Sequence, residues 1–187
     1  DTLAGIIFVA ITTGLAFAKF SKPTARVLFT DRCVIHKYEG KKTLFFRVAN
    51  ARDSHIADAS IEASIVMADE SPEGVTMQRI RDLKLVRSKS PIFALSWTVM
   101  HVIDESSPLM QLTWEDLVEK NVRIIISLTG VDDWTAQLVH SNKMYKYDEI
   151  VYNKRFADIL SDNDDGSVTM DYGKFDELIP FEEKKPS

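Results

Sequence analysis

The feature that most constrains this chain is an uncharged run at its start. Residues 2–18 hold no Asp, Glu, Lys or Arg and are rich in Leu, Ile, Val, Phe and Ala, and Lys19 and Lys22 follow at once. Coiled as a helix, this run rises roughly 26 Å, slightly less than a bilayer core of ~30 Å. It has no polar stripe, so a soluble helix with one face in water is the weakest reading. Ala16-Phe17-Ala18 has the small-x-small form of a signal-peptidase site. Signal peptides, however, carry basic residues before the apolar run, and here the positive charges come after it. The basic flank favours a membrane helix in the cell's inner (plasma) membrane, with residues after about 20 in the cytoplasm. The start at Asp1 rather than Met suggests a chain that opens partway through that helix.

Charge is split along the chain. Lys19, Lys22, Arg26, Arg32, Lys37, Lys41, Lys42, Arg47 and Arg52 meet only Asp31 and Glu39, whereas the last thirty or so residues are acidic. A basic stretch beside an apolar helix suits anionic lipid. The net charge of -5 argues against nucleic acid as a partner. Cys33 stands alone, which excludes an internal disulfide and favours a reducing compartment.

Beyond Pro23 the pattern turns to strands. Residues 33–38 and 43–49 flank Glu39-Gly40-Lys41 as a hairpin. Across residues 61–67, Ile61, Ala63, Ile65 and Met67 alternate with Glu62, Ser64 and Val66, as in a strand with one buried face. Ser71-Pro72-Glu73-Gly74 is a turn. Further strands are expected over 83–86, 93–102, 122–128, 136–140, 149–152 and 168–171. Thr113-Trp114-Glu115-Asp116 predicts a capping box opening a helix over 114–120. The class is mainly β: an immunoglobulin-like β-sandwich preceded by one transmembrane α-helix. The division is 1–20 helix, 21–32 linker, 33–180 sandwich and 181–187 flexible tail.

No pattern of catalytic chemistry accompanies this. The seven glycines are scattered and form no phosphate loop, and neither a Gly-x-Ser-x-Gly elbow nor a His-Glu-x-x-His motif occurs. His36 with Glu39, or His55 with Asp58, would supply two ligands each, and two ligands make no metal site. Asp162-Asn163-Asp164-Asp165-Gly166 looks like a calcium loop, but with Gly166 in sixth place the first position is Ser161 and the twelfth Tyr172. Both positions need carboxylates, so the segment is read as a turn. The chain is expected to be no enzyme, with neither a metal nor a cofactor.

Within the apolar run, Gly5 and Gly14 allow close packing or bending. Val9, Thr13 and Phe17 follow at i, i+4 and i+8 and share one face. That face suits either a contact between helices or the lining of a pore, and spacing leaves both open.

Ala18-Lys19-Phe20-Ser21-Lys22-Pro23, Phe46-Arg47-Val48-Ala49-Asn50-Ala51-Arg52-Asp53-Ser54-His55, His101-Val102-Ile103-Asp104-Glu105-Ser106-Ser107-Pro108-Leu109, Leu128-Thr129-Gly130, Thr135-Ala136, Asp148-Glu149-Ile150 and Asp171-Tyr172-Gly173-Lys174-Phe175 follow one another across nearly the whole chain. In order and approximate spacing they resemble the inward-rectifier potassium channel family. Phe93-Ala94-Leu95-Ser96-Trp97-Thr98 is most similar to its prokaryotic branch.

The resemblance implies a voltage-gated-type ion channel, a homotetramer with C4 symmetry, with potassium ions as the permeant species. Residues 1–20 would be the C-terminal part of the inner helix, with Phe17 as the helix-bundle gate, Val9 and Thr13 lining the pore, and Gly5 and Gly14 as hinges. Lys19, Lys22 and Arg26 would bind anionic lipids, phosphoinositide among them, although Thr24 and Ala25 interrupt the basic triplet of eukaryotic members. Asp58, Thr129, Gly130 and Asp132 would belong to the cytoplasmic pore and its loop gate, where magnesium or polyamines block strong rectifiers. Val9 and Thr129 stand where strong rectifiers are acidic, so weak rectification at most is expected. The selectivity filter and the family's N-terminal strand lie outside this sequence, which leaves one sheet edge open. The competing readings are a membrane-tethered immunoglobulin-like binding module without a transport role, and an exported β-sandwich with an uncleaved signal.

Overall fold

The structure, a computed structural model, describes residues 2–20, 27–163 and 166–182, with side chains of the first helix described over 5–15. That helix is α1 (Thr2–Phe20). It is followed by β1 (Val27–Phe29), β2 (Cys33–Tyr38), β3 (Lys41–Asn50), β4 (Ile56–Glu70), β5 (Thr76–Asp82), β6 (Lys89–Phe93) and β7 (Ser96–Val102). After α2 (Trp114–Glu119) come β8 (Arg123–Asp132), β9 (Leu138–Lys146), β10 (Ile150–Tyr152) and β11 (Lys154–Phe156). The chain closes with β12 (Leu160–Asp162), β13 (Val168–Met170) and β14 (Leu178–Pro180).

Two five-stranded sheets form the body. In sheet A, β3 pairs with β1 and β2 along one edge and β7 along the other, and β10 joins β2 in parallel. In sheet B, β4 pairs β8, which pairs β9, while β5 and β6 share the far edge of β4. The sheets pack face to face over one apolar core. Leu44, Phe46, Val48 and Val99 come from sheet A, and Ile61, Ile65, Ile124, Ile126, Leu128 and Tyr145 from sheet B. Fully burying such a side chain contributes about 1.5–3 kcal/mol. The expected mainly β sandwich with a helix before it is therefore present.

Local sequence explains the joints. Glu39 (φ 48) and Gly40 (φ 78) both take the left-handed conformation of a two-residue hairpin turn between β2 and β3. The Thr113 hydroxyl accepts from the Asp116 amide at 3.2 Å, and the Asp116 carboxylate accepts from the Thr113 amide at 2.8 Å, closing the capping box of α2. β12 and β13 pair antiparallel, and between them the Gly166 amide donates to the Asn163 carbonyl at 3.0 Å; Asp164 and Asp165 lie outside the described residues.

Other expectations shift. Residues 83–86 form no strand and make only a single bridge, Leu85 to His101. The stretch 93–102 is broken at Ala94 and Leu95 between β6 and β7. The segment 21–32 contains β1, bonded to the end of β3. Expectations for 21–26 and 183–187 lie outside the described residues. Phe181 stacks on His36 with ring centroids 4.6 Å apart.

Candidate functional site

Strand β4 takes one extra residue opposite β8. Ala57 faces Val131 and Ser60 faces Thr129, so Asp58 and Ala59 together oppose Gly130. Asp58 sits at φ 49, where aspartate is among the few side chains tolerated. The seat admits no side chain, because a Cβ on Gly130 would lie 2.4 Å from Ile56 Cγ2 and 3.0 Å from the Ala57 carbonyl. Three expected site residues, Asp58, Thr129 and Gly130, thus meet at one bulge.

The fourth, Asp132, is buried and turned inward. Its carboxylate accepts from Arg52 and from the Ser54 hydroxyl at 2.6 Å. Its other oxygen accepts from the amides of Trp134 and Thr135, at 3.1 and 2.9 Å, and from the Thr135 hydroxyl at 3.0 Å. These bonds, that from Ser54 foremost and those from Thr135 next, hold the carboxyl well below the usual carboxylate range. Asn50 ties down the other side of the network by donating to the carbonyls of Ser54 at 2.7 Å and Phe93 at 3.2 Å. His55 adds a bond from its amide to Asp133 at 3.0 Å. Residues 131–137 are therefore fixed to the 50–55 segment by charge-assisted bonds.

Away from the core, sheet B shows a bare, mostly polar face. Cross-strand pairing puts Ser60, Thr129 and His140 in one row, and Glu62, Ser127 and Asn142 in the next. Asp58, Glu62, His140 and Asn142 are exposed.

On α1 every described residue from 5 to 15 is exposed, including Val9 and Thr13 on their shared face. Among the described residues nothing beyond the chain neighbours and the helix's own backbone lies within 4 Å of where a Cβ on Gly5 or Gly14 would stand. Phe17 and Lys19 belong to α1, but their side chains lie outside the described residues, as do Lys22 and Arg26. Among the described residues no helix is long and apolar enough to cross a membrane. The stretch 5–15 rises only about 16 Å against a core of about 30 Å.

Two further buried groups escaped the sequence reading. Arg47 lies on the far side of sheet A, 4.9 Å from the Phe156 ring, and donates to the Ala157 carbonyl at 2.9 Å. Its Nε and Nη1 find no partner among the described residues, and burial lowers its pKa. His101 lies between the Lys84 carbonyl and the Ser107 hydroxyl, each at 2.8 Å. A carbonyl only accepts, so Nδ1 carries the proton and Nε2 accepts from Ser107. Burial lowers the imidazole's pKa. Among the described residues no group of three or more His, Cys, Asp or Glu is placed to hold a metal.

The family model for the inward rectifier potassium channel C-terminal domain matches residues 27–187. The chain is 41% identical over 178 residues to the inward rectifier potassium channel Kirbac3.1 of Paramagnetospirillum magnetotacticum, covering 95% of this chain and 60% of that protein. It is 30% identical over 182 residues to the human G protein-activated inward rectifier potassium channel 1, covering 94% of this chain and 36% of the relative. It is 29% identical over 186 residues to the rat ATP-sensitive inward rectifier potassium channel 8, covering 96% and 44%. The chain thus spans 60% or less of the length of these relatives. The relatives' names describe inward rectifier potassium channels and lend nothing to voltage gating. They describe ion channels, not enzymes. The chain belongs to the inward rectifier potassium channel family, in its prokaryotic branch.

Proposed function

We propose that the chain is the inner-helix and cytoplasmic part of one subunit of a homotetrameric potassium channel with C4 symmetry, in the inner membrane, with residues after about 20 in the cytoplasm. The observation that carries this reading is the seat of Gly130 on the Asp58 bulge. It fixes a loop at one end of the uncovered outer face of sheet B, whose middle rows are polar and whose row beside the loop holds the exposed Val131 and Leu138, an arrangement suited to lining and narrowing an ion path. The helix supports it too, since α1 exposes Ile6, Ile7, Phe8, Val9, Ile11 and Leu15 and needs apolar surroundings.

In this assembly four copies of Asp58 draw potassium ions, magnesium or polyamines toward the path by focusing the field. With Val9 and Thr129 uncharged, block by those cations is weak. Phe17 closes the helix bundle by steric block and dewetting, with Val9 and Thr13 lining the path above it and Gly5 and Gly14 permitting bends. Lys19, Lys22 and Arg26 meet anionic lipid, phosphoinositide included, at about 1 kcal/mol each. Asp132 serves the loop from inside by anchoring its backbone.

The test is rubidium flux through the full-length channel in liposomes, with native mass measured in parallel. Tetramers and a rise in basal flux in Phe17→Ala are expected. Monomers would overturn the assembly, and unchanged flux would move the restriction to Gly130. Steep voltage-dependent spermine block would contradict weak rectification.

A further inference from the structure

Beside the loop, the uncovered face of sheet B carries a row unlike those below it. The register sets Ile92 of β6, Ala57 of β4, Val131 of β8 and Leu138 of β9 side by side across the sheet. The next row, Lys89, Ser60, Thr129 and His140, is polar. Exposure rises toward the two ends of the apolar row: Val131 is 36% exposed, Ile92 66% and Leu138 73%. Each end has a second bare apolar group near it in the chain, Leu95 at 40% after β6 and Trp134 at 73% before β9. Two different apolar patches therefore flank opposite edges of one sheet.

Shape, area and symmetry decide what covers them. The band is one residue deep with polar groups directly below, too shallow to bed in a bilayer. Three strand spacings of about 4.8 Å set its ends roughly 14 Å apart, so one chain does not bring them together. The four end groups expose on the order of 300 Å² in all, against about 1,600 Å² in a standard interface. That is too little to hold an isolated pair of copies. It suits a closed ring, which is built from contacts between unlike patches and holds every member on both flanks. We propose that Leu138 and Trp134 of each subunit pack against Ile92 and Leu95 of the next, joining the apolar rows end to end around the fourfold axis. This rests on the homotetramer proposed above, and the occupant of the patches is a second copy of this chain.

The test is oxidative cross-linking of the full-length channel in membranes, with accessible cysteines replaced. Cys33 is fully buried and stays silent. Ile92→Cys combined with Leu138→Cys is expected to give a ladder ending at a covalent tetramer on a non-reducing gel, and each single variant no cross-link. A bridge within one chain is excluded, because bridged cysteines have Cα atoms within about 7 Å. Leu95→Cys with Trp134→Cys is a second, independent pair, and all four sites are exposed, so neither pair removes a core side chain. No cross-link from either pair, in protein that native mass shows to be tetrameric, overturns the seam and leaves the tetramer standing. Dimers from a single variant mean that like patches meet, which also overturns it. Monomers by native mass overturn the assembly itself, and the seam with it.

Discussion

The two sheets have the same number of strands and opposite fates on their outer faces. Strand β3 of sheet A is buried without interruption from Thr43 to Asn50. Its core side is shared with sheet B, and its outer side is covered by the C-terminal segment. There Phe45 and Val34 pack on Phe156, and Ala49 packs on Ile159 and Phe175. His36 is stacked between Phe45 and Phe181. Strand β8 of sheet B alternates instead, with Ile124, Ile126 and Leu128 buried and Ile125, Ser127 and Thr129 half-buried. A sheet covered on both faces has only packing to do. A sheet with one free face can offer that face to solvent, ions or another subunit. In the proposed channel, sheet A supports and the free face of sheet B meets the ion path.

Breaking the cover of sheet A should cost most. Phe156→Ala removes a ring that packs on Val34, Phe45 and the Arg47 guanidinium. A loss of about 3 kcal/mol is expected in urea denaturation, and a loss near zero would make the C-terminal segment mere decoration. Next comes the contact that organises sheet B. Gly130→Ala forces a methyl against Ile56 and the Ala57 carbonyl, with an expected cost of about 2 kcal/mol. A neutral result would show that the bulge yields easily.

A smaller effect follows from His101 at the edge of sheet A. Its folded-state pKa lies below the unfolded value near 6.5, so the unfolded chain takes up a proton first as pH falls. Its contribution is complete above about pH 6.5 and is lost as pH falls through the folded pKa. Urea midpoints between about pH 7.5 and 5.5 should drop, and the drop should shrink in His101→Gln. The smallest effect is expected on the bare face, where Asn142→Ala should change stability by less than about 0.5 kcal/mol. A large loss there would erase the contrast between the two sheets.

Sequence made some of this legible and hid the rest for physical reasons. The alternation of Ile61, Ala63, Ile65 and Met67 marked β4, and Thr113 with Asp116 marked α2, because both signals are local. Strand β5 was invisible, since Thr76–Asp82 is exposed at every position and shows no apolar period. Strands β1, β11, β12 and β14 are three residues each, too short to show a period. Gly130 and Asp58 drew attention through family resemblance, but their meeting depends on a bulge that strict alternation does not foresee. The inward turn of Asp132 was readable in principle, because it shares parity with Leu128 and Gly130, which are also buried. What parity does not supply is its partners, Arg52 and Ser54, some eighty residues away and brought in by the β4–β8 pairing.

The glycine seat also has a mechanical meaning. Strands in a sheet can in principle slide past one another by a register step, and a loop at their tip would then travel independently of the body. Here a slip of β8 along β4 would push a side chain, Thr129 or Val131, into a space that excludes even a methyl group. The bulge therefore acts as a stop against shear. The tip carrying Val131, Asp132 and Trp134 is geared to the sheet, so whatever displaces the sheet as a plate carries the tip through the same stroke.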